Sequence, residues 1–188
     1  MDGPAVSSVR IAAGKEACLD YFKRSIEVRV DEEEGGLLRL HGKLRDRRLD
    51  EDLHGFDVMM LVNVWDGEIL EIEGAMPARP LEECVEGLKT LQGLKGAKIL
   101  PGFSDFVKQT VGSNRGCVHL ASLIMNMGNT SVQGRGAYVR KNFEDLDVRA
   151  NTMKSYSEQL GMIDSCICWR EDGPLVRMWK QQNDGGQT

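Results

Sequence analysis

The chain has 188 residues, of which 41% are hydrophobic and 28% are charged, and its 24 basic residues face 29 acidic ones. This composition is typical of one globular domain and excludes a disordered or fibrous protein. The net charge of −5 disfavours nucleic acid as a partner, because the phosphate backbone repels an acidic surface.

Neither a membrane helix nor a secretory signal is predicted. No stretch approaches the roughly 20 apolar residues that a membrane-spanning helix requires, and the N-terminus lacks a basic and then apolar signal pattern. An odd number of cysteines favours free thiols in a reducing cytoplasm over a disulfide framework. The five are Cys18, Cys84, Cys117, Cys166 and Cys168.

Four strands are predicted in the first half of the chain. Hydrophobic and polar residues alternate over 25–30, 38–44 and 68–76, and 56–64 is almost continuously apolar. Asp66-Gly67 supplies a hairpin turn before the last strand. We therefore expect a four-strand antiparallel meander with one face exposed to water.

Helical periodicity replaces the alternation after Pro80. Hydrophobic residues recur at steps of three and four over 81–91, 102–111 and 117–127, which predicts three helices that cover the apolar face of the sheet. Residues 128–142 contain three glycines without periodicity, so we expect a long loop there.

The C-terminal part is predicted to close the fold. Residues 145–160 are helical by propensity, although weakly amphipathic. The short apolar runs 165–169 and 175–179 flank the turn at 171–174, which predicts a closing hairpin. The expected fold class is therefore α+β.

The domain boundaries follow from the same patterns. Residues 1–20 carry little periodic signal, and we expect them to be loosely ordered. A single α+β domain is expected over 21–180, followed by a disordered tail over 181–188.

The most distinctive motif is Gly116-Cys117-Val118-His119-Leu120, which opens the third predicted helix. A helix N-terminus favours negative charge, so it favours the thiolate form of Cys117. Cys117 is therefore a candidate nucleophile or ligand, and His119 a candidate base or ligand. The alternative is structural, with Cys117 as a small buried hydrophobe and His119 as a hydrogen-bonded residue at the helix start.

Asp57 is the third catalytic candidate. A carboxylate within an apolar strand must be exposed, hydrogen-bonded or functional, and a functional Asp57 would orient His119. A separation of Asp57 from Cys117 by more than about 10 Å would exclude this constellation. His41 and His54 are interpreted as surface residues, and the charged run 45–52 as a solvated turn.

No metal ion is expected, and no cofactor is identified. If a metal were bound, its ligands would be the soft set Cys117, His119, Cys84 and Cys166. No phosphate-binding loop is present, so nucleotide binding has no support.

Several segments resemble a bacterial family, the domain of unknown function numbered 2889. The resemblance includes the motif at 116–120, and Cys166 with the turn 171–174 is similar to the family's closing cysteine and Asp-Gly-Pro turn. The other resembling segments are 22–30, 34–46, 57–76, 80–84 and 91–103. Membership of this family implies no established reaction.

The sequence departs from the family pattern in three places. Val118 stands where the family usually has threonine, and the arginine common in the strand after Asp57 is absent near Leu61. Phe56 stands where the family commonly has a histidine, immediately before the aspartate that Asp57 matches. If that histidine serves a site, this chain lacks one member of it.

The preferred function is a small-ligand-binding domain, or an enzyme of small-molecule catabolism, with a site near Cys117, His119 and Asp57. The expected loop over 128–136 would line this site. The alternative is a non-catalytic interaction or scaffold protein that forms homo-oligomers through its sheet edge or its methionine-rich surface.

Overall fold

The computed structural model of the chain describes residues 20–178. Four strands are followed by a 3₁₀ helix and three α-helices, so the predicted α+β fold is confirmed. The elements are β1 (Phe22–Glu33), β2 (Leu37–Arg48), β3 (Glu51–Asn63), β4 (Ile69–Ala78), the 3₁₀ helix Glu82–Leu94, α1 (Phe103–Thr110), α2 (Val118–Asn142) and α3 (Leu146–Gln159). The tail predicted at 181–188, and the N-terminal segment apart from residue 20, lie outside the described residues.

The strands form one antiparallel sheet in the order β1-β2-β3-β4, which confirms the predicted meander. Gly67 has a φ of 73° in the turn before β4, the left-handed conformation that glycine adopts without steric cost. The strands are longer than the alternating segments predicted, because pairing continues through charged residues at both ends of β1 and at the C-terminal end of β2.

The core lies between one face of the sheet and the helices. Leu40, Leu44 and Phe56 point to this face and are almost completely buried. α2 lies over β1 and β2 and buries Leu120, Leu123, Ile124 and Met127 against them. Gly42 faces the core in β2, and a Cβ there would lie 2.4 Å from the Met127 sulfur, so glycine makes room for this helix.

The prediction of a long loop over 128–142 is wrong, because these residues form the second half of the 25-residue helix α2. The glycines that suggested a loop lie at close contacts instead. A Cβ at Gly128 would lie 2.7 Å from the ring of Phe103, and one at Gly134 would lie 2.8 Å from Val30. Glycine therefore lets α2 approach its neighbours at these two positions.

The prediction of a closing hairpin is also wrong within the described residues. Residues 164–173 form turns, and 174–178 form a short helical turn. The backbone hydrogen bonds are local, such as Trp169 N–H to the Cys166 carbonyl and Arg177 N–H to the Gly173 carbonyl. Ile167 is 74% exposed, so the run 165–169 buries too little apolar surface to stabilise a strand.

The bounds of the other helices lie close to those of the predicted segments. α1 and α3 agree with the segments predicted at 102–111 and 145–160, and the Asp145 side chain caps α3 by accepting from two backbone amides. The segment predicted as an α-helix at 81–91 is a 3₁₀ helix that continues to Leu94. In the part of the chain that the structure describes, no helix is both long and apolar enough to cross a membrane.

Candidate functional site

Three polar side chains form a row across the end of the sheet. Arg24 of β1 pairs in register with Asp46 of β2, and Asp46 pairs with His54 of β3. In a strand every second side chain points to the same face. Asp46 therefore continues the inward series of Leu40 and Leu44, and it is only 1% exposed.

Arg24 holds the buried carboxylate of Asp46 in a two-pronged ion pair. Nε and Nη2 of Arg24 each donate to one oxygen of Asp46 at 2.7 Å. Burial raises the pKa of Asp46, but the hydrogen bonds and charge of Arg24 outweigh it and hold that pKa below its usual range. Asp46 is therefore a carboxylate at neutral pH.

The start of α2 places Cys117 and His119 beside this row. Cys117 is the N-cap residue in an extended conformation, and its N–H donates to the Val111 carbonyl at 2.7 Å. A Cβ at Gly116 would lie 2.0 Å from the same carbonyl oxygen, so only glycine fits there. Because Cys117 precedes the helix, its Sγ converges on His119 Nδ1 at 3.7 Å.

His119 stacks on His54, with ring centroids 4.0 Å apart and planes inclined by 29°. Burial lowers the pKa of His119, and the nearby His54 and Arg24 lower it further, while Asp46 opposes them. His119 is therefore a neutral imidazole at pH 7, with one ring nitrogen free of a proton.

The imidazole of His54 has an unsatisfied nitrogen. Its side chain is 13% exposed, and Nδ1 lies 3.2 Å from Oδ2 of Asp46. The distance suits a hydrogen bond, but the angles do not, and buried Nδ1 has no hydrogen-bond partner among the described residues. One ligand atom from each of Asp46, His54 and His119 lies within 4.8 Å of the others. These three residues and Cys117 are called the polar cluster below.

Asp57 does not join the polar cluster. Phe56 and Val58 are buried, so Asp57 between them points to the opposite, open face of the sheet. Its two oxygens accept from Nη2 of Arg45 at 2.7 and 2.8 Å. There it lines an open groove of about 380 Å³ together with His41.

The other predicted ligands are also placed elsewhere. Cys166 is exposed in the turns that follow α3, and Cys84 is half-buried in the 3₁₀ helix. Neither belongs to the group of close metal-ligating side chains found within residues 20–178. The structure thus brings together Cys117 and His119 with Asp46 and His54.

Asp46 and His54 were missed in the sequence, although a signal was present. The alternation that places Leu40 and Leu44 inward continues to Asp46, but the surrounding charges suggested a solvated turn. The family histidine expected at position 56 would share the inward face with His54, two residues along the same strand. In this chain Phe56 fills that position in the core, and His54 supplies an imidazole on the same face.

One comparison with known proteins finds a relationship. A family model described as "Protein of unknown function (DUF2889)" matches residues 22–133, which is more than half of the chain. The matched region includes the whole sheet and all four residues of the polar cluster. No curated protein and no solved structure matches the chain.

Proposed function

The chain belongs to the DUF2889 family of proteins of unknown function, and we propose that it binds a small molecule at the polar cluster. One observation carries this proposal. Ionisable and thiol side chains from β2, β3 and the start of α2 converge at the edge of an otherwise apolar core. Such convergence of chemically capable groups is typical of binding and catalytic sites.

The accessible side of the cluster is formed by Cys117 and His119. Both are partly exposed, whereas Asp46 is buried. In the proposed site Cys117 acts as nucleophile or ligand and His119 as base or ligand, while Arg24 holds the carboxylate of Asp46 beside the two imidazoles.

The first turn of α2 favours an oxygen atom of the bound molecule. The N-cap residue Cys117 does not cap this helix with its side chain, and the first turn contains no acidic residue, so its leading amides are candidate donors to a ligand. These amides favour a carboxylate or carbonyl oxygen. A polar, oxygen-bearing metabolite therefore fits the site, in keeping with an enzyme of small-molecule catabolism in a reducing bacterial cytoplasm.

Alkylation by iodoacetamide tests whether a small molecule reaches the cluster. Cys18 and the exposed Cys166 and Cys168 should first be replaced by serine. Cys84, which is partly buried like Cys117, then serves as an internal control. Cys117 is the N-cap residue of α2, and a helix N-terminus is a position that favours thiol reactivity. We expect Cys117 to react about tenfold faster than Cys84 in the folded protein at pH 7.

Peptide mass spectrometry of the alkylated protein measures both rates. If Cys117 reacts only after unfolding in denaturant, the cluster is closed to small molecules and the proposed function is wrong. Circular dichroism of the serine variant verifies that the protein remains folded during labelling.

A further inference from the structure

We infer that Asp46, His54 and His119 bind a divalent transition metal ion of the zinc or iron(II) class. The inference deepens the proposed function and rests on it, because the small molecule would occupy the open positions on the ion. This ligand set replaces the one that the sequence suggested, in which Cys117 and His119 were joined by Cys84 and Cys166.

The spacing of two of these side chains agrees with metal ligation. Nitrogen and oxygen ligands lie roughly 2.0–2.2 Å from zinc, so two ligands of a tetrahedral ion are about 3.3 Å apart. Nδ1 of His54 and Oδ2 of Asp46 are 3.2 Å apart. The two atoms are thus at ligand spacing without being hydrogen-bonded, as expected of atoms that point at a common third atom rather than at each other.

The unsatisfied nitrogen of His54 points to the same conclusion. Buried polar atoms without a partner are rare in proteins, and a missing ion is one of their physical explanations. A metal ion would satisfy Nδ1 of His54 while also accepting a lone pair from Asp46 and one from the neighbouring ring of His119.

His119, the third ligand, has to move only a short distance to reach ligand spacing. The ligand atoms of Asp46, His54 and His119 all lie within 4.8 Å of one another, so closing to tetrahedral spacing requires a shift of less than about 1.5 Å. His119 is partly exposed in the first turn of α2, and the movement would shift its ring relative to the stacked ring of His54.

The donor set indicates the class of ion. Two imidazoles and one carboxylate suit zinc, iron(II) and neighbouring transition metals, whereas magnesium and calcium prefer oxygen ligands alone. Three protein ligands leave at least one position for water or a small molecule, the arrangement of a catalytic rather than a structural site.

Arg24 and Cys117 complete the surroundings of the ion. Arg24 orients the carboxylate of Asp46 through two hydrogen bonds, the role that outer partners of metal ligands commonly have. Sγ of Cys117 lies next to His119, within reach of a molecule bound at an open position on the ion.

Metal binding by the full chain, purified without a histidine tag and stripped with a chelator, tests this inference. Equilibrium dialysis against Zn²⁺, followed by elemental analysis, should show one equivalent bound. His54→Ala and His119→Ala should each weaken binding at least about 100-fold, because each removes a ligand. The matched controls His41→Ala and Asp57→Asn lie on the opposite face of the sheet and should bind as the native chain does.

Two results would overturn the metal site. One is binding of less than about a tenth of an equivalent of Zn²⁺ and of Co²⁺ to the folded native chain. The other is equal loss of affinity in the His41 and His119 variants, which would indicate non-specific surface binding. His119→Ala keeps the inference testable if His54→Ala fails to fold, because His119 is half-exposed.

Failure of the metal site and failure of the proposed function can be told apart. Alkylation of Cys117 requires no metal ion, so rapid alkylation without metal binding would leave a small-molecule site that contains no ion. Slow alkylation together with stoichiometric Zn²⁺ binding would instead indicate a closed, structural metal site.

Discussion

Two polar side chains of helix α2, His119 and Arg135, have different surroundings. His119 in the first turn is partly exposed and belongs to the polar cluster. Arg135, in the second half of the helix, is completely buried. Its guanidinium donates to the carbonyls of Val64 and Trp65 at 2.6 and 2.9 Å and lies 4.8 Å from the centre of the Tyr156 ring.

Arg135 and the polar cluster differ in the partners of their polar atoms. Nε and Nη2 of Arg135 fix the backbone of the β3–β4 connection to α2, while its remaining Nη1 is, like Nδ1 of His54, buried without a hydrogen-bond partner among the described residues. The hydrogen bonds that hold Asp46 in the polar cluster come from Arg24, and His54 retains an unsatisfied nitrogen. Arg135 is therefore a structural residue bound to the backbone, whereas the cluster brings ligand atoms of three side chains together.

The largest expected effect comes from removing the structural arginine. Arg135→Ala should lower the free energy of unfolding by about 3–5 kcal/mol, because it leaves a cavity and an unpaired carbonyl at Trp65. Urea denaturation measures the change. Arg140→Ala, at an exposed position of the same helix, is the control and should change stability by less than about 0.5 kcal/mol. Equal effects of the two substitutions would contradict the structural role of Arg135.

The sheet could be predicted from sequence because its signal is local. Alternation in β1, β2 and β4, and the apolar run in β3, directly report which face is buried. The same rule, applied strictly, places Asp46 inward and Asp57 outward. The charges next to Asp46 suggested a solvated turn instead. Its ion-pair partner Arg24 is 22 positions away in the chain, so the local sequence does not reveal the pair.

The second half of α2 could not be predicted, because its glycines are explained by distant contacts. Gly128 lies against Phe103 and Gly134 against Val30, and no local pattern reveals either contact. The polar cluster was predictable only in part for the same reason. The motif at 116–120 indicated Cys117 and His119, but His54 meets His119 only after β3 pairs with β2 and α2 packs over them.

A substitution in the polar cluster should change the free energy of unfolding in the opposite direction to Arg135→Ala. His54→Leu should raise the free energy of unfolding of the metal-free protein by about 1 kcal/mol, because it replaces a buried imidazole with an unsatisfied nitrogen by an apolar side chain. Urea denaturation in the presence of a chelator measures this. His41→Leu on the open face of the sheet is the control, with a change of less than about 0.5 kcal/mol. A loss of stability in His54→Leu would mean that His54 is primarily structural.

The smallest expected effect tests the segment of α2 around Arg135. Gly136 lies within this helix, and a Cβ there would meet only Met153, at an ordinary contact distance of 3.7 Å. Gly136→Ala should therefore raise the free energy of unfolding by about 0.5–1 kcal/mol, because alanine favours a helix interior over glycine by that amount.

Gly134→Ala is the matched control, two residues away in the same helix. Its Cβ would lie 2.8 Å from a methyl group of Val30, so the contact with β1 should offset the helical preference and lower stability. A gain for Gly136→Ala with a loss for Gly134→Ala requires both a continuous helix and its close packing on the sheet. Equal, small effects of the two substitutions would instead indicate a loop over 128–142, and α2 would then not hold Arg135 against the β3–β4 connection.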